Sequence, residues 1–579
     1  MFRRSFLSET SLIFRLLSRE QRNRLVRNVT ASVILALLEV FSLTSILPLL
    51  FYLIRPQKLN ISSGVIGYIS TLTTSIPWTI LLSGIVALFI LKNVAAVWQT
   101  QQQSRFLNDL YLDLSKKVYQ RFYSQAWNAY THENSAEAFR KIKNTAFEFT
   151  SYVLNSYLLL LTDVVMCVLM IAVLAWFDFR ILLVILFLFL PIGIFYYFFR
   201  KKVILKIDKS FRELTPVTNI ALTQGISAYT EARIYKKQNY FIDRFIRLSK
   251  ITTRQLSDLK TFSSLPPRIL EVVGIMLLAG TIIYVRAVGA DEQNLLIFIG
   301  LFSLALYRIM PSLNRMLQSL SQIQSYSYTV SELYEVTGGG YEKKSVKNQM
   351  KLDFNTSIEL VNLTFQYEDK SRVLLQNISL SISKGEFVVL EGASGSGKTT
   401  LINIISGIIQ NYSGHVLIDG VPLDSDTLEA WQTQIGLVAQ SPVILQDTLL
   451  QNIAFGEFES DVDHYKLKSA IHEAGLDTFL TSLSEGIYTT IGENGVTLSG
   501  GQRQRLCLAR ALYRQSQVLL LDEVTNQLDE ENKVYILNTL QAMCEQGKTV
   551  VLISHDPLVR KFATRVLKLE DALLESATL

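Results

Sequence analysis

The chain has 579 residues, of which 49% are hydrophobic and 18% charged, with a formal net charge of +6. That length allows two or more domains, and a mean hydropathy of +0.26 argues against an ordinary water-soluble enzyme. The basic residues cluster near the N-terminus instead of forming a stripe, which excludes nucleic acid as a partner, and three scattered cysteines (Cys167, Cys507, Cys544) make neither a disulfide framework nor a metal-ligand spacing.

Residues 1–28 hold seven arginines, and the apolar run behind them is too long for the core of a cleavable signal peptide. Crossing a bilayer takes about 20 apolar residues. Six runs qualify, near 29–54, 77–98, 152–176, 179–199, 267–287 and 293–312. One such run could be a buried soluble helix; six, including ILLVILFLFLPIGIFYYFF at 181–199, read as membrane spans. The arginine-rich N-terminus and Arg200-Lys201-Lys202 mark the cytoplasmic side, and an even number of spans returns the chain there. The connections 99–151 and 200–265 are polar, helix-compatible and poor in Gly and Pro, so the spans are expected to continue as helices below the membrane.

Several charges fall at membrane depth, where they are costly and face a cavity or a partner. Glu39, Asp163, Arg268, Glu271 and Arg308 are the candidates. Two readings stand side by side: Glu39, Arg268 and Glu271 tie helices together as ion pairs, or a partly basic cavity receives an anionic headgroup. The segment 61–78 reads either as a short amphipathic helix on the outer leaflet or as a loop. A polar stretch from Val336 to Phe354, with Gly338-Gly339-Gly340, reads as a linker. The expected organisation is a membrane domain over 1–330, a linker over 331–356 and a second domain over 357–579.

The second domain alternates strands and helices, as an α/β P-loop fold requires. Gly392-Ala-Ser394-Gly395-Ser396-Gly397-Lys398-Thr399-Thr400 fits the phosphate-binding pattern G-x-x-x-x-G-K-[ST], between the strand Phe387 to Leu390 and a helical run. Lys398 is expected to bridge the β- and γ-phosphates and Thr399 to ligate Mg²⁺. Val518-Leu-Leu-Leu-Asp522-Glu523 is a buried strand ending in two acids, which burial permits only beside a cation or a water network. Asp522 is expected to hold Mg²⁺ through water and Glu523 to act as general base, the plainer alternative being an acid pair at a helix start. Ser499-Gly500-Gly501-Gln502 opens a helical run, where Ser499 is an N-cap candidate and the backbone N–H groups suit an anion.

The P-loop together with Leu498-Ser-Gly-Gly-Gln502 resembles the ATP-binding cassette family, and the six spans resemble its exporter-type membrane domain. The resemblance implies an α-helical six-span domain followed by an α/β P-loop motor, ATP and Mg²⁺ as cofactors, and ATP hydrolysis coupled to transport. It gives Tyr367 as the aromatic on the adenine, Gln440 as the glutamine touching Mg²⁺ at the contact with the membrane half, and His555 as the switch histidine near the γ-phosphate. His132, His415, His464 and His472 stay ordinary surface or packing residues. The tips that dock on the motor fall near Thr131 to Ala138 and Leu222 to Ile234.

Because the family's signature acts on the ATP of a second motor, a homodimer is implied, with Ser499, Gly500, Gly501 and Gln502 completing the partner's site. One departure is visible: Asn526-Gln527 stand before Leu528-Asp529 where the family has Ser-Ala. LLEVFSLTSILPLL with Glu39 and Pro48, LPPRILEVVG, and EARIYKKQNYFIDRF (231–245) look like the flippases of lipid-linked oligosaccharides in bacterial inner membranes. The implied cargo is a lipid-linked glycan or similar amphipathic glycolipid among membrane lipids. The alternative is a peptide or drug exporter. An ATP-gated channel is disfavoured by the intact Glu523 and signature.

Overall fold

The computed structural model describes residues 11–46, 78–124, 135–177, 214, 216–287, 292–338, 352–367, 373–492, 498–570 and 572–577. The expected span 179–199, the segment 61–78 apart from Trp78, Pro48, Arg200 to Lys202 and most of the linker lie outside these residues, as do 131–134 of the first expected tip.

The first unit is helical. Helix α1 (Arg19–Thr44) starts at a capping box in which the Ser18 hydroxyl accepts from the Gln21 N–H and the Gln21 side chain accepts from the Ser18 N–H. Helix α2 spans Trp78–Tyr123. A continuous helical path then runs from Ser135 through two π-helical stretches, Arg140–Thr145 and Phe149–Leu154, into α3 (Asn155–Phe177). The second expected tip is helical over 216–227 and in α4 (Tyr229–Ile234), which leads to α5 (Gln238–Ala287) and α6 (Glu292–Tyr326). Among the described residues three helical segments are long and apolar enough to cross a membrane, Arg19–Thr44, Leu82–Tyr123 and Glu137–Val173.

Helix α7 (Tyr328–Gly338) enters the stretch expected to be linker, because Val330 and Leu333 bury against Leu110, Leu114 and Phe149. Polar bonds also tie these helices. Gln99 donates to the Asn28 carbonyl and the Ser32 hydroxyl at 3.1 Å each, joining α2 to α1. Gln103 reaches Asn155 at 2.8 Å, and Ser156 donates to Gln322 at 2.6 Å. Arg140 makes a two-pronged contact with Glu332, the bond geometry that holds best in a carboxylate–guanidinium pair.

The second unit is α/β. A four-stranded antiparallel sheet, ordered β2-β1-β4-β5, comprises β1 (Ser357–Phe365), β2 (Leu375–Ser383), β4 (Ser413–Ile418) and β5 (Val421–Pro422). A six-stranded sheet is ordered β10-β9-β3-β8-β7-β6, from β3 (Phe387–Glu391), β6 (Ile435–Val438), β7 (Val518–Asp522), β8 (Thr549–Ile553), β9 (Arg565–Glu570) and β10 (Leu573–Ala577). Strands β9, β3, β8, β7 and β6 are mutually parallel, and β10 closes one edge antiparallel.

Side chains on a strand alternate faces, so a strand covered on both sides must be apolar throughout. Phe387, Val389, Leu519, Leu521, Val550 and Leu552 enter one core, while Val388, Leu390, Leu520, Val551 and Ile553 enter the other. The second core also takes Leu401, Ile404 and Ile405 of α8 (Lys398–Ile405), and Leu352 and Phe354 from the stretch expected to be linker. Its largest member is Trp431, fully buried, whose indole N–H donates to the Ile405 carbonyl at 2.7 Å. Trp431→Ala is expected to destabilise this unit by about 3–5 kcal/mol, the usual cost of emptying a large core site. Trp431→Phe, which mainly strands the Ile405 carbonyl, is expected to cost about 1–3 kcal/mol. Urea titration of the purified full chain, read by loss of binding of a fluorescent ATP analogue, measures both; unchanged midpoints would contradict this account of the core.

Candidate nucleotide site

The parallel register gathers the expected site residues at one sheet edge. Strand β3 ends at Glu391, directly before the P-loop; β7 ends at Asp522; β8 ends two residues before His555; β6 ends two residues before Gln440. Asp522 is paired with Ile553, and the Glu523 N–H donates to the Ile553 carbonyl at 3.1 Å. Glu391 anchors the start of the P-loop through two bonds of 2.6 Å from Arg560.

The P-loop turns through left-handed glycines at Gly392 (φ 146°), Gly395 (φ 79°) and Gly397 (φ 107°). At Gly392 a Cβ would lie 2.2 Å from the Leu569 carbonyl oxygen, so the position has no room for any side chain. Gly397 starts α8, whose first-turn N–H groups face the loop. The Ser396 hydroxyl is buried with no partner among the described residues, and the Lys398 ammonium curls over the loop to the carbonyls of Gly392 (2.7 Å) and Ala393 (2.9 Å). An orphaned hydroxyl, a helix start and a lysine around a backbone cradle too tight for a Cβ fit a phosphate chain. Ser394 and Thr400 complete the loop. Thr400 accepts or donates at 3.2 Å with the Tyr367 hydroxyl, which brings the expected adenine-stacking residue beside α8.

Thr399 and Asp522 meet directly, hydroxyl to carboxylate, at 2.7 Å. Burial pushes the Asp522 carboxyl above its ordinary range, and the adjacent Glu523 charge adds to this against the Thr399 bond and Lys398. Burial in turn pushes the Lys398 ammonium below its ordinary range, opposed by Glu523 and Asp522. A hydroxyl and a carboxylate disfavoured as a bare anion are a donor set that suits a hard divalent cation such as Mg²⁺.

Glu523 itself sits at φ 55°, a region side-chain-bearing residues rarely adopt and which recurs at functional sites. Its Oε2 accepts from Gln440 Nε2 at 2.9 Å and from Asn526 Nδ2 at 2.9 Å. His555 is exposed on the neighbouring strand end. The signature residues open α9 (Gly500–Tyr513) through a second capping box: Ser499 Oγ accepts from the Gln502 N–H at 3.2 Å, and Gln502 Oε1 accepts from the Ser499 N–H at 2.9 Å. The neighbours of Gly500 and Gly501 are Gln527 and Leu528, so within one chain the signature meets the segment after β7 instead of the P-loop.

Sequence reasoning missed Gln504, which donates to the Glu523 carbonyl at 3.2 Å and accepts the Gln527 N–H at 3.2 Å. It also missed the bond from Asn526, although the departure at that position was the visible signal.

In the helical unit the membrane-depth charges are paired, as the ion-pair reading expected for Arg268 and Glu271, but Glu39 has a different partner. Arg308 contacts Glu39, with Lys92 at 3.9 Å from the same carboxylate. Arg268 pairs with Glu271 at 3.7 Å, both largely exposed, and Glu39 joins neither. Arg315, not singled out from sequence, grips the buried Asp163 at 2.6–3.2 Å. Arg308 is therefore not an unpaired cavity cation: its helix-to-helix carboxylate partner lies 269 positions earlier in the chain, beyond any local pairing rule.

Residues 375–526 match the ABC transporter family model. A bacterial Atm1-family ABC exporter with ATP bound superimposes with a TM-score of 0.76, covering 95% of each chain at 19% identity. The chain has the fold of an ATP-binding cassette exporter. An ATP-dependent lipid A-core flippase of Burkholderia orbicola (strain AU 1054) is 24% identical over 494 residues, 84% of this chain and 81% of that protein. One of Alkalilimnicola ehrlichii (strain ATCC BAA-1101 / DSM 17681 / MLHE-1) is 32% identical over 351 residues, 60% of this chain and 58% of that protein. Residues 375–526 are thus an ATP-binding cassette domain within an exporter-type fold, and the helical unit carries segments long and apolar enough to cross a membrane.

The cradle geometry makes a graded test. Gly392→Ala meets a backbone oxygen and is expected to abolish tight ATP binding. Gly395→Ala has open space and carries only the left-handed penalty of about 1–2 kcal/mol, so it should weaken binding at most modestly. Equilibrium binding of a fluorescent ATP analogue to each full-length variant measures the difference, and equal affinities would contradict it.

Proposed function

We propose that this exporter is a homodimeric flippase that uses Mg²⁺-ATP to move a lipid-linked oligosaccharide, or a similar amphipathic glycolipid, between leaflets of a bacterial inner membrane. The observation that carries the cargo class is the kinship with lipid A-core flippases over most of the chain. Arginine in the N-terminal segment and at Arg200 supports a cytoplasmic motor. The charges at membrane depth support a polar route, since an uncompensated anion in a low-dielectric interior is strongly disfavoured.

In this reading Lys398 and the N–H groups of the P-loop hold the phosphates, and Tyr367 stacks on the adenine. Thr399, Gln440 and Asp522 hold the Mg²⁺, Asp522 through water; when bound, the ion neutralises charge on the β- and γ-phosphates. Glu523 takes the proton of the attacking water, and its strained backbone and fixed carboxylate support that role. His555 faces the γ-phosphate. Ser499, Gly500, Gly501 and Gln502 act on the ATP of the second copy; within one chain Gly500 and Gly501 lie against Gln527 and Leu528, which supports that role.

In the membrane, Arg308 is held by Glu39, so an anionic headgroup has to compete with a resident carboxylate. Removing Arg308 alone leaves that carboxylate, among the described residues, with Lys92 at 3.9 Å, whereas removing both members leaves Lys92 without its carboxylate. The experiment is reconstitution in liposomes with fluorescent lipid-linked oligosaccharide, following ATP-dependent protection from a leaflet-impermeant quencher. The parent chain is expected to flip it, and Glu523→Gln to bind ATP but lose about 10²–10⁴-fold in hydrolysis and all flipping. Arg308→Ala is expected to lose flipping while keeping basal ATPase. ATP-dependent movement of a test peptide with none of the glycolipid would overturn the cargo assignment in favour of a peptide exporter.

A further inference from the structure

We propose that Asn526 is a positioning residue for ATP hydrolysis, fixing which oxygen of Glu523 receives the proton of the attacking water. This rests on the reading of Glu523 as general base. Both amide bonds to that side chain, from Gln440 and from Asn526, fall on Oε2 at 2.9 Å. A carboxylate oxygen presents two lone-pair sites in its plane, so two N–H donors saturate Oε2 and leave the basic lone pairs on Oε1. The carboxylate can neither rotate nor exchange its oxygens without breaking both bonds. Two amides thus convert a symmetrical side chain into one with a single accepting oxygen at a defined place.

Asn526 can do this because of the turn it sits in. The chain leaves β7 through the left-handed Glu523, and the Asn526 N–H returns to the Glu523 carbonyl at 3.3 Å. That turn brings the Asn526 amide back over the carboxylate three residues earlier. Gln504 pins the turn from the other side, donating to the Glu523 carbonyl and accepting the Gln527 N–H, both at 3.2 Å. The Gln527 side chain lies on Gly500, where a Cβ would come within 2.3 Å of its Oε1. The turn is therefore braced against the first residues of α9, and Asn526 is aimed by contacts on both flanks. A serine at this position has a shorter side chain with one hydroxyl donor. It would reach the carboxylate less fully than the amide does.

The test compares Asn526→Ala, Asn526→Asp and Asn526→Ser with Glu523→Gln in the full-length protein, measuring kcat, KM and ATP-analogue affinity. Asn526→Asp keeps shape and turn preference but replaces the N–H donor with a second carboxylate oxygen. It is expected to cut kcat by about 30-fold or more, and Asn526→Ala by about 10-fold, in line with loss of a bond to a charged group. Asn526→Ser, which keeps one shorter donor, is expected to recover part of the activity lost in Asn526→Ala. Analogue affinity and KM should stay within about 2-fold throughout, because the lost contact is to the base and not to the nucleotide. A near-parental kcat in Asn526→Asp, with Glu523→Gln inactive, would overturn the proposal while leaving the base assignment intact. A parallel loss of affinity, or no recovery with serine, would also overturn it in favour of a purely structural turn. Near-normal turnover in Glu523→Gln would instead remove the reading on which it stands.

Discussion

Parallel pairing of β3, β8, β7 and β6 is the constraint on which the motor depends. Parallel strands all finish at the same edge, so loops that follow them in sequence at distances of more than a hundred residues emerge side by side. The P-loop, the acid pair, His555 and Gln440 are together for that reason and need no other device. The price is that every one of these strands is covered on both faces. Their interior positions are accordingly apolar, polar side chains such as Thr549 and Glu391 stand at strand ends, and Asp522 is the first polar side chain β7 presents. Its depth at the sheet edge is what makes it a costly bare carboxylate and a useful partner for a cation.

Much of this was legible because short motifs report local backbone demands. Gly392 is glycine since a neighbouring strand's carbonyl occupies the place of its Cβ, and that requirement is written in one letter. The capping box at Ser499 and Gln502 follows from residue types three positions apart, a spacing sequence reveals directly. The strand runs at 387–390, 518–521 and 550–553 declared themselves by unbroken hydrophobicity, as a doubly covered parallel sheet dictates. Gln504 stayed hidden for the opposite reason. Its side chain bridges backbone groups of a segment 19 and 23 residues away, and nothing in a glutamine's neighbours along the chain signals such a bond.

Three of the six expected spans return, among the described residues, as helices long and apolar enough for a bilayer, while most of the pairings were illegible. Hydropathy identifies a helix that suits a bilayer, but rotation about its axis is set by partners that sequence alone does not assign. Arg268 and Glu271 pair because they are three residues apart on one helix, which sequence can foresee. Glu39 with Arg308, and Asp163 with Arg315, join residues from different helices, and only the fold decides between them. The two π-helical stretches at 140–145 and 149–154 belong in the same category: each shifts the facing of everything after it without any glycine or proline to mark it. The stretch expected to be linker reaches a core at each end, through Leu333 on one side and Phe354 on the other.

The two halves treat buried charge in contrasting ways. In the helices each described acid at depth already has its arginine, so those charges are neutralised within the protein and serve as ties unless something competes for them. At the sheet edge the balance is left incomplete. Asp522 and Glu523 are adjacent carboxylates, Lys398 is directed to the P-loop carbonyls, and the Ser396 hydroxyl is buried without a partner among the described residues. A site so arranged gains more from a polyanion arriving with its cation than from either alone, since the cation relieves the acids while the phosphates engage the lysine and the loop N–H groups.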